Sequence, residues 1–283
     1  MSRIALVTDS TSSMPQELVE KYGIIVAPQV LIWGDETFED GVDIMPGEFY
    51  TRLAKATIMP STSQVTVAKF LEIYKKLLEQ DYQILTIVIS TKLSGTLNSA
   101  IQAKAMLQAD APIEIIDSNS TAMGMGFHLL AVARAIQQGA SLAECVSIAQ
   151  RAIGQTGIFF AVDTLEFLHR GGRIGGATRF LGTMLNFKPI LEVRDGRVEP
   201  IERVRTRSKS LSRIVELALE QIGNRTPIRL ASLHANAPED ARAVLKEATE
   251  KLNPVETYLS EVSPVIGANA GPGVVGLVYM AGM

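Results

Sequence analysis

The sequence predicts an α/β fold made of two α/β domains, and three observations support this prediction. Short apolar runs such as Ile84–Ile89 end in polar residues and are followed by helical patterns, the alternation typical of a sheet flanked by helices. Asp195-Gly196 separates two strand-like runs and is a strong hairpin signal. The length of 283 residues suits two domains, and no repeat or flexible linker separates them. We expect domains over residues 1–155 and 156–283.

The first domain is expected to contain a mainly parallel sheet flanked by helices, because its strand-like runs are apolar throughout. The predicted strands are Ile4–Val7, Ile24–Trp33, Ile84–Ile89 and Ile113–Ile116. The predicted helices lie between Pro15 and Gly23 and over Asp43–Lys55, Val65–Leu78, Asn98–Leu107, Ala122–Ile136 and Leu142–Ile153. The last of these begins with a capping box formed by Ser141 and Glu144.

The second domain is expected to contain a mixed sheet, because a hairpin occurs within its α/β alternation. The predicted strands are Gly157–Val162, Lys188–Val193, Val198–Val204, Ile228–Ala235, Thr257–Val262 and Val274–Met280. The predicted helices are a short one that ends at Leu168, Ser208–Ile222 and Pro238–Leu252.

Composition excludes several classes of protein. The formal net charge of −3 argues against a nucleic-acid-binding protein, which usually carries a basic patch. The single cysteine, Cys145, excludes an internal disulfide framework and a cysteine zinc site. No apolar run approaches the roughly 18 residues that span a bilayer, and the N-terminus does not resemble a signal peptide. We expect a cytoplasmic monomer that makes at most transient contact with a membrane.

Hydroxyl side chains cluster where predicted strands end or helices begin. The clusters are Thr8–Ser13, Ser61–Ser63, Ser90–Thr96 and Asp117–Thr121. In open α/β sheets ligands bind beyond the carboxyl ends of the strands, where hydroxyl and N–H groups can bind an anion. The alternative is helix capping, which favours the same residue types. Ser94-Gly95-Thr96 favours a ligand site, because its two hydroxyls exceed the needs of one cap and the glycine permits close approach.

Four further side chains could support an anion site. Asp9 can orient neighbouring hydroxyls or cap a turn, while Ser10 and Ser118 belong to the same clusters. Arg173 lies in the run Gly171–Gly176, where its guanidinium can bind a carboxylate or phosphate or remain solvated in a loop.

Motifs for nucleotides and metals are missing from the sequence. The run Gly271–Gly276 matches G-x-G-x-x-G, but no βαβ opening precedes it and a β-branched strand follows. It is therefore interpreted as a turn near a ligand or near the other domain. No phosphate-loop pattern is present, and the three histidines lack metal-ligand spacing. We expect no cofactor and no metal.

Seven short motifs occur along the chain in the order found in a known family. They are Val7–Ser12, Pro60–Gln64, Leu93–Thr96 with Ser99-Ala100, Asp117-Ser118, Phe167-Leu168 with Gly171–Ile174, Lys188–Ile190 and Gly271–Gly273. Each motif is weak alone, but the series covers essentially the full chain. On these residues the chain resembles the DegV family of bacterial fatty-acid-binding proteins.

The resemblance implies a function as well as a fold. It implies that a long-chain fatty acid is buried in a tunnel between two α/β domains. It also implies that a separate ATP-dependent kinase phosphorylates the bound carboxylate, so that the binding protein is not itself an enzyme. By motif match, Thr62 and Ser94 contact the carboxylate, with Ser63, Gly95 and Thr96 beside them.

Three further positions follow from the same resemblance. Asn269 belongs to the carboxylate site and stands where the family often has histidine; asparagine can hydrogen-bond but carries no charge. Arg173 matches a position near the site, and Arg205 matches a position that can face the partner protein.

The residues leave two other functions open. Ser94 could be the nucleophile of a serine hydrolase with Lys92 or a histidine as base, although no G-x-S-x-G elbow surrounds it. The protein could also be a sensor or carrier of another anionic lipid or small acid, which Asn269 favours.

Overall fold

The computed structural model describes residues 3–181 and 187–283. Within these residues the strands are β1 (Arg3–Asp9), β2 (Ile25–Ala27), β3 (Val30–Trp33), β4 (Glu36–Glu39), β5 (Ser61–Ser63), β6 (Tyr82–Val88), β7 (Ile113–Asp117), β8 (Thr156–Ala161), β9 (Lys188–Arg194), β10 (Arg197–Val204), β11 (Ile228–His234), β12 (Glu256–Glu261) and β13 (Val275–Ala281). The helices are α1 (Gln16–Tyr22), α2 (Pro46–Leu53), α3 (Val67–Leu78), α4 (Thr96–Ala105), α5 (Ala122–Gln137), α6 (Leu142–Ile153), α7 (Glu166–Arg170), α8 (Arg207–Ile222), α9 (Pro238–Leu252) and α10 (Pro264–Ala270).

Four parallel strands form the N-terminal sheet, in the order β2-β1-β6-β7. Its central strands are buried on both faces, which explains their continuous apolar runs. Ala5 and Val7 of β1 pack with α3 and α4, whereas Leu6 packs with α5 and α6. The predicted parallel sheet between two layers of helices is confirmed.

Six strands form the C-terminal sheet, in the order β10-β9-β8-β13-β11-β12. All neighbours are antiparallel except β11 and β12, so the sheet is mixed, as predicted. The hairpin turns at Asp195-Gly196, also as predicted. One face of the sheet packs against α8 and α9. The first strand of this sheet begins at Thr156, and the domain boundary at residue 155 stays a prediction.

A third, smaller sheet was not predicted. Its order is β4-β3-β5, and all of its neighbours are antiparallel. The run Ile24–Trp33 was predicted as one strand but divides into β2 and β3 around Pro28, which lacks a backbone N–H for a sheet ladder. Ser61–Ser63 forms β5 and caps no helix; Thr66 caps α3 instead. Helix α10 was also missed.

Helix α5 lies between the two large sheets. It packs against β1 and β6 on one side and against β8, β11 and β13 on the other. Its apolar residues therefore surround the whole helix, with Met125 and Leu129 facing the N-terminal sheet and Met123 and Phe127 belonging to the core between the sheets. No helix in the described part of the chain is long and apolar enough to cross a membrane.

The tip of the β9–β10 hairpin docks onto the N-terminal half. Lys92 Nζ donates a hydrogen bond to the backbone oxygen of Asp195 at 2.7 Å. Gly196 has a φ of +78° and lies so close to the N-terminal half that a Cβ there would stand 2.2 Å from Ser90 Oγ. Glycine is therefore required at the tip both by backbone conformation and by the close contact.

We expect Gly196→Ala to destabilise the protein more than Gly139→Ala. Gly139 also has a left-handed φ, of +88°, but a Cβ there would meet no atom within 4 Å. Backbone strain alone should lower the free energy of unfolding of the Gly139 variant by about 1–2 kcal/mol. The free energy of unfolding of the Gly196 variant should fall by about 1–3 kcal/mol more than that, because its methyl group also crowds Ser90. Urea unfolding of both variants measures the difference, and equal losses would show that the tip contact is loose.

Candidate ligand-binding site

A cavity lies between the C-terminal sheet and the carboxyl ends of the N-terminal strands. It encloses about 890 Å³ of atom-free space, a figure that includes its open mouth. The wall on the side of the C-terminal sheet is apolar. Its side chains on the strands are Ile158, Phe160, Val193, Val198 and Leu233. A ligand that fills this wall must carry an extended apolar part.

The polar residues of the cavity come mostly from the N-terminal half. They are Thr11, Gln29, Thr62, Ser63, Gln64, Ser94 and Thr121, joined from the C-terminal half by Arg173 and Asn269. Each predicted hydroxyl cluster contributes at least one of them. Beyond the carboxyl ends of parallel strands, loops and helix starts converge, which explains why separate clusters meet here.

Asn269 and Thr62 meet between α10 and β5. Asn269 Nδ2 donates to the backbone oxygen of Val265 at 2.9 Å and to Thr62 Oγ1 at 3.1 Å. Because a backbone carbonyl only accepts, the bond to Val265 fixes the orientation of the amide. The Thr62 hydroxyl therefore accepts from Asn269 and keeps its own proton for a group in the cavity.

The Ser94 hydroxyl serves both the start of α4 and the cavity. Its oxygen accepts the backbone N–H of Thr96 at 3.3 Å and lies 2.9 Å from the Thr96 hydroxyl. Thr96 is buried and does not line the cavity, whereas Ser94 does. When the Thr96 hydroxyl donates to Ser94, the Ser94 proton is free to point at a ligand. Local capping and ligand binding are thus compatible at this residue.

Gly95 makes room for a neighbouring side chain. A Cβ at Gly95 would lie 2.1 Å from Gln64 Oε1. Gln64 crosses the start of α4 here, donates through Nε2 to Ser99 Oγ at 3.0 Å and lines the cavity. Gly95 was predicted to let a ligand come close to the backbone, whereas in the structure the side chain that comes close is that of Gln64.

Arg173 reaches from the C-terminal half to the N-terminal half. Its Nε donates to the backbone oxygen of Leu93 at 3.0 Å, and its Nη1 donates to that of Gly171 at 2.6 Å. The side chain lines the cavity beside Ser94. Two carbonyl groups thus hold the guanidinium in place and leave its positive charge without a carboxylate partner among the described residues.

Asp9 lies behind the cavity and positions two of its lining residues. The fully buried carboxylate accepts hydrogen bonds from the backbone and hydroxyl of Thr11 and from Gln29 Nε2 at 3.2 Å. It also accepts from the backbone N–H of Ile89 at 2.8 Å. Burial raises the pKa of Asp9, and these hydrogen bonds oppose that rise. Asp9 supports the site without lining it.

Ser10 and Asp40 connect the end of β1 to α10. Ser10 Oγ donates to Asp40 Oδ2 at 2.6 Å and accepts the backbone N–H of Gln29 at 3.1 Å. Asp40 Oδ1 accepts the backbone N–H of Val265 at 3.4 Å. Burial raises the pKa of Asp40 to about 6. The helix that carries Asn269 is therefore held by a buried carboxylate from the N-terminal half.

Two further sequence candidates do not line the cavity either. Ser118 is buried and closes a local turn, in which its hydroxyl donates to the backbone oxygen of Ser120 at 3.1 Å. Arg205 is exposed between β10 and α8 and does not line the cavity.

Four polar lining residues were not among the predicted site residues: Thr11, Gln29, Gln64 and Thr121. Thr11 and Thr121 lie inside the hydroxyl clusters and Gln64 directly follows one, so their place in or beside a cluster is the sequence signal that marks them. No sequence signal marks Gln29 as a site residue, because it is an isolated polar residue beside an apolar run. Thr121 Oγ1 is buried and has no hydrogen-bond partner in the described part of the chain.

The hydrolase hypothesis requires a base at Ser94, and among the described residues no lysine or histidine side chain hydrogen-bonds the Ser94 hydroxyl. Lys92 Nζ is bound to the Asp195 carbonyl oxygen, and the hydroxyl partner of Ser94 among the described residues is Thr96. Within the same residues, no group of three or more His, Cys, Asp or Glu side chains could hold a metal ion.

The fold and the cavity define a class: an α/β protein with two large sheets and a cavity between them that is lined by apolar and polar residues. The family model of the DegV family matches residues 3–282. The chain belongs to the DegV family, and the resemblance seen in the ordered motifs is confirmed.

Individual relatives are similar to this chain in sequence or in structure over nearly its whole length. A DegV domain-containing protein of Streptomyces coelicolor is 36% identical over 281 residues, covering 98% of this chain and 99% of the relative. A DegV family protein from Thermus thermophilus, described for its fatty acid binding, is 33% identical with a TM-score of 0.93 and 99% coverage of both chains. A stearic acid-binding protein from Eubacterium ventriosum is 25% identical, with a TM-score of 0.91 and coverage of 99% and 98%.

We expect Asp40→Asn to change the pH dependence of stability. The carboxyl titrates near 3.8 in the unfolded chain and near 6 in the folded protein. Between these values the folded protein binds more protons, so its free energy of unfolding falls as pH rises, by about 3 kcal/mol for this group. The contribution is fully present below pH 4 and is lost above pH 6. Asp40→Asn should remove this part of the slope.

Urea unfolding between pH 4 and pH 7 makes the comparison. The asparagine amide can keep both neighbours paired, with Oδ1 accepting from Val265 and Nδ2 donating to Ser10. The control is Asp35→Asn, which removes the same charge from an exposed turn. A wild-type slope in Asp40→Asn would contradict the prediction.

Proposed function

We propose that the protein binds a long-chain fatty acid in the cavity, with the tail on the C-terminal sheet and the carboxylate among the polar residues. The observation that carries this proposal is a lining that joins the apolar face of the C-terminal sheet to a group of polar side chains, most of which come from the N-terminal half. Related proteins of the same fold, from Thermus thermophilus and Eubacterium ventriosum, are described as binding fatty acid and stearic acid.

The tail supplies the driving force. Each buried methylene contributes about 0.8 kcal/mol, so a sixteen-carbon tail contributes on the order of 12 kcal/mol before costs. Loss of translational and rotational freedom costs roughly 4–15 kcal/mol. Net affinity therefore requires a cavity that is already formed, because an unformed one would add the cost of ordering its walls.

The polar residues supply hydrogen bonds for the carboxylate, which would be very costly to bury bare. Thr62 is oriented as a donor by Asn269, and Ser94 can donate when Thr96 donates to it. Arg173 adds positive charge nearby. Because carbonyl groups hold this guanidinium, we expect it to balance the charge of the carboxylate without forming a bidentate pair with it.

We also propose that the bound acid is presented to a separate ATP-dependent kinase. The kinase would transfer the γ-phosphoryl group to a carboxylate oxygen, breaking its bond to ADP and forming an acyl phosphate. Ser63 lines the cavity and is exposed, so the polar end reaches the surface. Hydroxyl donors leave carboxylate lone pairs available for attack, and exposed Arg205 is a candidate contact for the partner.

We expect protein made in a bacterial host to carry one fatty acid of 14 to 18 carbons. Native mass spectrometry gives the stoichiometry, and organic extraction with lipid analysis identifies the ligand. With ATP, acyl phosphate should form only after a kinase fraction is added, and it can be trapped with hydroxylamine. A protein that is empty and takes up no added fatty acid would contradict the binding function. Extraction of a different anionic lipid would favour the alternative that the protein is a sensor or carrier of that lipid.

We expect Asn269→Asp to weaken fatty acid binding by at least about tenfold at pH 8. The aspartate would accept the Thr62 proton and place a negative charge beside the carboxylate, so both changes oppose binding. Binding of the fatty alcohol with the same tail should change much less, because it carries no charge. Titration calorimetry with both ligands measures the difference.

Two variants on β5 are measured by the same calorimetry, one to test the Thr62 donor and one as a control. Thr62→Val removes the donor while keeping the shape of the side chain, and it should weaken binding of the acid as well. Ser61→Ala removes an exposed hydroxyl that does not line the cavity and should bind like the wild type. Full affinity for the acid in Asn269→Asp would refute the donor role of Thr62.

A further inference from the structure

One position on the apolar sheet face has no side chain. Gly276 lies on β13, between β8 and β11, and pairs with Phe160 on one side and Leu233 on the other. Side chains alternate along a strand, and here Val275 packs on the face of α8 and α9 while Val278 belongs to the core on the cavity side. Gly276 has the same parity as Val278, so it faces the cavity, which it lines.

Backbone conformation does not account for this glycine. The run from Gly271 to Gly276 contains three glycines, and the first two have left-handed φ angles of +83° and +79°. Gly276 has no such angle and sits in regular strand pairing, where any residue is allowed. A glycine inside a central strand forfeits packing and often marks a close approach by a ligand or another backbone.

A side chain at position 276 would project into the cavity. An ideal Cβ there would lie 3.2 Å from the Cβ of Phe160 and 3.7 Å from the Cβ of Leu233, both of which line the cavity. The missing side chain therefore leaves a notch in the floor between two large neighbours. The same Cβ would also lie 3.2 Å from the backbone oxygen of Phe159, so some strain accompanies any substitution.

The notch lies on a trough that crosses five adjacent strands. Its lining residues are Val198 on β10, Val193 on β9, Ile158 and Phe160 on β8, Gly276 on β13 and Leu233 on β11. Strands lie about 4.8 Å apart, so five of them span about 19 Å. An acyl tail in a bilayer occupies about half of a 30 Å hydrocarbon core, or about 15 Å. The trough is long enough for a tail of membrane-lipid length.

We infer that Gly276 sets the length of acyl tail that the cavity accepts, by leaving the trough open between Phe160 and Leu233. This inference rests on the proposed fatty acid binding and adds a residue that selects among tails. A tail that extends across Gly276 uses the notch, whereas a tail short enough to stop before it does not. One extra methyl group in an apolar site discriminates by roughly 10- to 100-fold.

The test compares the affinities of delipidated proteins for saturated acids with 8, 10, 12, 14, 16 and 18 carbons. In the wild type, affinity should rise with each added pair of carbons. Gly276→Ala should keep the wild-type affinity for the shortest acids and lose roughly 10-fold or more for the acids with 16 and 18 carbons. The affinity should stop rising at a shorter tail than in the wild type.

Two further variants separate tail selection from general damage. Val275→Ile adds one methylene on the opposite face of the same strand, so it should leave the dependence on tail length unchanged. Leu233→Phe narrows the trough beside Gly276 without crowding the Phe159 carbonyl, and it should shorten the accepted tail even if Gly276→Ala folds poorly.

The outcomes distinguish this inference from the function on which it rests. A shorter preferred tail in Gly276→Ala or Leu233→Phe, with Val275→Ile like the wild type, supports the inference. Equal losses for all tail lengths, or none, in both cavity variants would overturn it and leave fatty acid binding intact. Failure of the wild type to bind any of the six acids would overturn the proposed function, and this inference with it.

Discussion

The separation of the two large sheets by α5 is the constraint on which the cavity depends. The helix is apolar all round because both sheets pack against it, and its side chains fill the space along its length. At its far end, Arg134 forms a two-point ion pair with Glu256 of β12, at 2.8 and 2.6 Å. Near Ala122, the first residue of α5, side chains no longer fill the space between the two sheets. The cavity is the space left between the sheets beyond that end of the helix.

Two buried carboxylates fix the polar side of this space. Asp9 holds Thr11 and Gln29 at the end of β1, and Asp40 holds the start of α10. Burying each carboxylate costs free energy, and the hydrogen bonds that it accepts offset part of that cost. Removing either one would leave buried donors unpaired. Thr11, Gln29 and the helix that carries Asn269 are thus positioned by carboxylates that do not line the cavity.

Apolar and polar parts of the cavity have different origins in the chain. The C-terminal sheet presents one face to α8 and α9 and the other to the cavity, so it supplies the apolar wall. The N-terminal sheet meets the cavity at its strand ends, where backbone groups and hydroxyls are concentrated. Asn269 is a polar residue of the cavity that comes from the C-terminal half, and it orients Thr62 of the N-terminal half. The site is complete only when both halves are packed.

The sequence by itself determined the buried parallel strands, the hairpin at Asp195-Gly196 and the amphipathic helices, because each depends on periodicity or turn chemistry within about fifteen residues. It also determined the family, through the order of its motifs. Only the tertiary structure decided that Ser61–Ser63 is a strand and that Asn269 meets Thr62 at a separation of 207 residues. It likewise decided that Gly276 faces the cavity. These features depend on contacts between distant segments, which no local pattern records.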